Sequence, residues 1–224
     1  MPVNPVDQRE RPNARGTATR QAILLAAERL FAERGIEATA LRDIALAAGQ
    51  KNNVAVQYHF GDRDGLVTAI TAYRGERSER IRADMLADLL ASQRQPKVRD
   101  LVRAYVLSVA GHLGGDDNHY LTFISRLLVE RGGYLGLRGA VGASVVPAFL
   151  SLLTRLLPNH PREVLDERWL IVMTTTAHTL ARYQIALRTG DLPAPLEDLL
   201  GDLIDLLAAG VSAPVSSVAG NRSR

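Results

Sequence analysis

From Thr17 onward, apolar residues return at helical spacing. Ile23, Ala27, Leu30 and Phe31 share one face of a helix expected over 18–34, with Thr17 or Thr19 as its cap and Gly35 just past its end. A short helix, Leu41 to Ala48, turns Leu41, Ile44, Ala45 and Ala48 inward and stops at Gly49. The polar turn Gln50-Lys51-Asn52 leads into a second short helix, Asn53 to His59, with Val56 and Phe60 apolar and Gly61 as its breaker. Asp62 caps a longer helix that carries Leu66, Ile70, Tyr73, Ile81 and Met85 along one side. Beyond Pro96 the pattern predicts helices at 98–113, 119–131, 140–157, 162–188 and 196–209, separated by Gly and Pro. There is no sustained period-2 run, so an all-α chain is expected. Residues 1–16, with Pro2, Pro5 and Pro12, read as a flexible N-terminal arm, and 211–224 as a disordered tail.

Composition narrows the class without naming it. The chain has 224 residues, enough for one large or two modest domains, and no Cys, which removes disulfides and thiolate metal sites. No apolar run reaches the roughly 18 residues of a membrane span, and the polar start has no signal-peptide core. The expectation is a soluble cytoplasmic protein. The formal net charge is +3, and all the cations except Lys51 and Lys97 are Arg. The histidines at 59, 112, 119, 160 and 178 form no H-E-x-x-H motif or compact ligand spacing, and there is no phosphate-binding Gly loop or G-x-S-x-G. Neither an enzyme nor a cofactor or metal site is expected.

Two short helices joined by a tight turn at Gly49 match a helix-turn-helix arrangement. In that arrangement the first helix braces the second, which lies in the major groove. The outer face then needs amides, hydroxyls and cations, and Lys51, Asn52, Asn53, Gln57, Tyr58 and His59 supply them. Asn and Gln pair bidentately with adenine, while Tyr and His suit phosphate oxygens. Asn53 and Gln57, four apart, share a face, and Asn52 sits where it can cap. On pattern alone a solvated turn accounts for the same residues, and an all-helical interaction module without DNA binding is the alternative function.

The stretch RQAILLAAERLFAERGIEATALRDIALAAG, followed by VAVQYHFGDRDGLVTAI, resembles the N-terminal domain of the TetR family of bacterial regulators. The resemblance rests on Phe31 to Gly35, on Thr39 with Ile44, Ala45, Ala48 and Gly49, on His59-Phe60, and on Asp62 to Leu66. It spans about residues 19–70; the remainder is similar only in length and helicity. The stretch between Gly49 and Phe60 is one residue longer than the family pattern, and Gln57 stands where the family has a phosphate-binding Tyr.

The resemblance implies an N-terminal three-helix helix-turn-helix domain over 17–70 and a C-terminal antiparallel helical effector and dimerisation domain over 71–210. It further implies a repressor that binds a palindromic double-stranded DNA operator as a homodimer and is released by a small-molecule effector. Thr39 and Arg63 join the expected DNA contacts by that resemblance. Tyr105, Phe123, Phe149, Trp169 and His178 are the expected effector contacts. The expected dimer seam joins Leu196, Leu199, Leu200, Leu203, Leu206 and Leu207 on the last helix to Trp169, Val172, Met173, Thr176, Leu180, Tyr183 and Leu187 on the one before it.

Overall fold

The structure is a computed structural model that describes residues 10–92, 94–115, 118–131 and 146–215. Among them are nine helices and no strand: α1 (Glu10–Arg34), α2 (Leu41–Ala47), α3 (Val54–Phe60), α4 (Arg63–Ala91), α5 (Val98–Ala110), α6 (Tyr120–Glu130), α7 (Val146–Leu156), α8 (Arg162–Thr189) and α9 (Leu196–Ser212). The all-α expectation holds. Residues 140–145, the start of one expected helix, lie outside the described residues.

α1 starts earlier than expected, so 10–16 is helical rather than part of an arm. Pro12 is compatible with this because it falls in the first turn, where no intrahelical N–H is required. Thr17 and Thr19 therefore sit inside the helix and do not cap it. At the other end Gly35 takes φ 97° and donates its N–H to Phe31 O at 3.0 Å, which closes α1.

Two compact units emerge from the packing. Among the described residues, the first comprises those up to Arg74 together with 118–131; the second comprises 75–115 and 146–215. This differs from a simple cut near residue 70, because α6 packs on α1. Phe123 stacks on Phe31 at 6.2 Å between centroids. Arg126 donates to Ala32 O (2.6 Å) and Glu33 O (3.2 Å), carbonyls that the end of α1 cannot satisfy itself. Glu130 accepts the N–H groups of Ile36 (2.9 Å) and Glu37 (3.3 Å). Glu28, on α1, is fully buried and joins three elements: Arg74 grips both carboxylate oxygens at 2.7 and 2.9 Å, and the His119 N–H reaches Oε1 at 3.0 Å.

In the second unit, α5 buries Leu101, Val102, Tyr105, Val106 and Val109 against α8 and α9. The α9 stripe continues through Leu203, Ile204, Leu207 and Ala208 to Val211, so the helix runs beyond its expected end. Arg168 ties that end down by donating to the carbonyls of Val211 (2.8 Å) and Ala213, and His160 bonds the latter at 3.0 Å. Residues 211–214 are therefore held rather than part of a free tail; 216–224 lie outside the described residues.

Candidate nucleic-acid interface

The site is assembled in the first unit from α2, the turn after it, and α3. α2 ends in a Schellman motif: Gln50 N–H donates to Ala45 O (2.8 Å) and Gly49 N–H to Leu46 O (3.0 Å), with Gly49 at φ 72°. That conformation favours glycine and swings the chain sharply out of α2. Asn52 Oδ1 then accepts the Val54 N–H at 3.1 Å, an Asx turn just ahead of the helix; the N-cap position itself falls to Asn53 rather than to Asn52. α3 packs on α1 and α2 through fully buried Val56. Arg20, on α1, lays its guanidinium over the Phe60 ring at 5.0 Å and covers the half-buried end of the helix.

Opposite Val56 lies a free face. Tyr58 is 84% exposed and Val54 61%, with Gln57 exposed beside them and Lys51 and Asn52 exposed in the preceding turn. Asn53 is the N-cap residue and half-buried, so of the Asn53–Gln57 pair only Gln57 stands fully outside. His59 is half-buried and sits edge-on to Tyr58 at 5.0 Å. The face thus offers an amide with donors and an acceptor, a phenol, an ammonium and two methyl groups. Val54 was not among the expected contacts, because an apolar residue in a periodic pattern reads as inward-facing. Its place two residues before buried Val56, roughly 200° around a helix, is the signal that it faces out.

Two expected contacts are committed to internal bonds instead. Thr39 is fully buried, and its hydroxyl donates to Gly35 O at 2.6 Å and Leu30 O at 3.3 Å, closing the corner between α1 and α2. Arg63 donates to Glu37 (3.0 Å) and to Thr39 O (3.1 Å), bracing the same corner from the start of α4. Both therefore hold the frame.

The expected effector contacts are also divided. Tyr105 and Phe149 each lie 5.6 Å from Trp169, ring centre to ring centre, inside the second unit. Phe123 belongs to the first unit and its core, against Phe31 and Tyr120. His178 is exposed, on the outer face of α8, because it follows buried Thr176 by two residues and so points to the other side of the helix.

Two short helices, the second presenting a polar outer face, define a helix-turn-helix protein of all-helical fold. A family model described as "Bacterial regulatory proteins, tetR family" matches residues 23–70, and one described as "Tetracyclin repressor-like, C-terminal domain" matches 106–210. The chain belongs to the tetR family of bacterial regulatory proteins.

It is 39% identical over 99 residues to the HTH-type transcriptional repressor Rv3405c of Mycobacterium tuberculosis, a match covering 44% of this chain and 52% of that protein. The match thus spans about half the length of that relative. It is 45% identical over 53 residues to the HTH-type transcriptional repressor BepR of Brucella suis, covering 24% of this chain and 25% of that protein. Among solved structures, a TetR family transcription regulator from Marinobacter aquaeolei superposes with TM-score 0.57 at 16% identity, covering 88% of this chain and 97% of that one. That likeness speaks to fold.

Proposed function

We propose that the protein is a DNA-binding transcriptional repressor that places α3 in the major groove of a palindromic operator as a homodimer and is released by a small-molecule effector. The observation that carries this reading is the α3 face: Val54, Gln57 and Tyr58 stand out from a short helix whose other side is anchored by Val56, with Lys51 and Asn52 on the adjoining turn. Gln57 suits adenine, Val54 suits a thymine methyl, and Tyr58, His59 and Lys51 suit phosphates.

The second copy fits the outer face of α8. Most of the apolar residues expected at the dimer seam, Trp169, Val172, Met173, Leu180 and Leu203 among them, are core of their own unit. Leu187 is exposed on the opposite side of α8, about 200° from Ile185. What remains exposed on the outer face is Ile171 and Ile185, seven residues either side of His178, with Leu206 on α9. Pairing these with a symmetry mate gives an isologous contact, and the two α3 helices then meet successive major grooves about 34–36 Å apart.

The test is fluorescence anisotropy with DNA fragments from upstream of the gene and its neighbours, titrated with salt. A sequence-selective complex is expected. Lys51→Ala weakens all DNA alike and lowers the salt slope by about one unit. Binding that does not discriminate among fragments at any salt concentration overturns the regulator reading, and a monomer at micromolar concentration overturns the dimer.

A further inference from the structure

Only Gly61 and Asp62 separate α3 from α4, and the backbone turns sharply between them. Asp62 N–H donates to Phe60 O at 3.0 Å across Gly61, whose φ of 77° and ψ of −75° make a γ-turn of the positive-φ kind, the rarer and more strained of its two forms. The first turn of α4 is thereby pressed against the end of α3. A Cβ at Gly65 would lie 1.8 Å from Phe60 O and 3.0 Å from the carbonyl carbon. The first distance falls roughly 1 Å short of the closest approach a Cβ tolerates, and the atom it meets is backbone. Gly75, further along α4, has nothing within 4 Å of its Cβ position, so the tightness belongs to the joint.

Which side yields to added bulk depends on how each is anchored. The start of α4 is held at every step. Asp62 Oδ1 accepts the Gly65 N–H at 2.8 Å, Arg63 is bonded to Glu37 and Thr39 O, Asp64 pairs with Arg131 at 2.9 Å, and Leu66 is fully buried. α3 spans two turns and is held by buried Val56 and by Arg20 over the Phe60 ring. A cation over a partly exposed ring is a weak hold beside a set of ion pairs and backbone bonds. α3 is therefore the element that moves.

We propose that Gly65 is a positioning residue for DNA selectivity. Lacking a Cβ, it lets the Phe60 carbonyl sit against α4, while Arg20 holds the Phe60 ring from α1, and the two together set the direction in which α3 presents Val54, Gln57 and Tyr58. Gly65 acts through α3 rather than on the bases. A methyl group at 65 displaces Phe60 and tilts α3 about Val56. A tilt that moves the outer face by about 1 Å takes a bidentate base contact outside hydrogen-bonding range. Alanine is the better helix former, so α4 itself is not weakened by the change. The role in selectivity rests on the regulator reading above; the placement of α3 by the joint does not.

The test uses the full-length protein as Gly65→Ala, with Gly75→Ala as the control in the same helix, and has two readouts. Without DNA, ¹⁵N–¹H spectra of Gly65→Ala are expected to show the amide peaks of the whole run Val54 to Phe60 displaced, and further than those of α2. With DNA, anisotropy gives the affinity for the tightest upstream fragment and for a scrambled duplex of equal length. The ratio of the two should fall about tenfold, the worth of one bidentate base contact, with the scrambled duplex and its salt slope unchanged. Gly75→Ala should leave both readouts as in wild type. Arg20→Met loosens the ring without adding bulk; it should displace the same peaks and lower the ratio about two- to fivefold, and it decides the matter if Gly65→Ala does not fold. Peak changes confined to the residues next to position 65, an unchanged ratio, or an equal loss on both duplexes overturns the positioning role. Wild-type protein that does not discriminate between the duplexes overturns the regulator reading instead, and the α3 peaks still decide whether the joint places the helix.

Discussion

Arg74→Met removes the cation that grips Glu28 and leaves a carboxylate inside the first unit. The geometry sets the size of the effect. Glu28 has 1% of its side chain exposed and Arg74 19%, and the two contacts are 2.7 and 2.9 Å. At an effective dielectric of about 20, unit charges 3–4 Å apart attract by roughly 4–5 kcal/mol, most of which is offset by desolvation in the intact pair. Deleting one partner removes the attraction but not the desolvation. The His119 N–H, at 3.0 Å, is one bond and cannot neutralise the charge. The loss should therefore sit near 3 kcal/mol, the low end of the roughly 3–5 kcal/mol range for a broken buried pair, since water can reach the Arg74 side.

Glu28→Gln is the informative control. It keeps the shape and one acceptor, and it leaves behind an Arg that is already partly hydrated, so it should cost less, about 1.5–2 kcal/mol. Urea unfolding followed by circular dichroism gives both values. Hydrogen exchange should place the loss in α1, the first part of α4 and α6. At about 2–4 °C per kcal/mol, Arg74→Met should lower the melting temperature by roughly 6–12 °C. A loss below about 1 kcal/mol, or Glu28→Gln costing more than Arg74→Met, would refute the view of Glu28 as the buried hub of this unit.

Gly35→Ala should destabilise the first unit by about 1–3 kcal/mol, because Gly35 has φ 97° and an added Cβ would lie 2.8 Å from Glu130 Oε1; thermal unfolding checks it. Val54→Ala should weaken operator binding by about 1 kcal/mol while leaving non-specific binding unchanged, as loss of a methyl contact requires, and anisotropy on cognate and scrambled DNA separates the two. The Arg94 hydrogen bond, with those of the Lys97 N–H and the charges nearby, holds the Asp100 carboxyl below the usual carboxylate range. Its stabilisation is complete above the unfolded carboxylate value of about 4 and is lost as pH falls through the lower folded value. The stability gap between wild type and Asp100→Asn should thus be constant from pH 7 to about pH 5 and close below about pH 4, as read by urea unfolding at each pH.

Periodicity alone determined that the chain is helical, where α2 and α3 lie, and that Gly49 turns between them, because these follow from local spacing and from the one residue that accepts φ 72° without strain. It also singled out Val56 as the inward anchor of α3. Long-range packing decided the rest. Thr39 and Arg63 carry the right chemistry for phosphate, but carbonyls and a carboxylate four to 26 residues away claim them. Phe123 and His178 read as neighbours of Trp169 on a list of aromatic and polar residues; three-dimensional placement sends one to α1 and the other to an exposed helix face. The bonding of Glu28 depends on partners 46 and 91 residues distant, which sequence periodicity does not encode. Spacing along the chain fixes which way a side chain leaves its helix; only the packed structure fixes what it meets there.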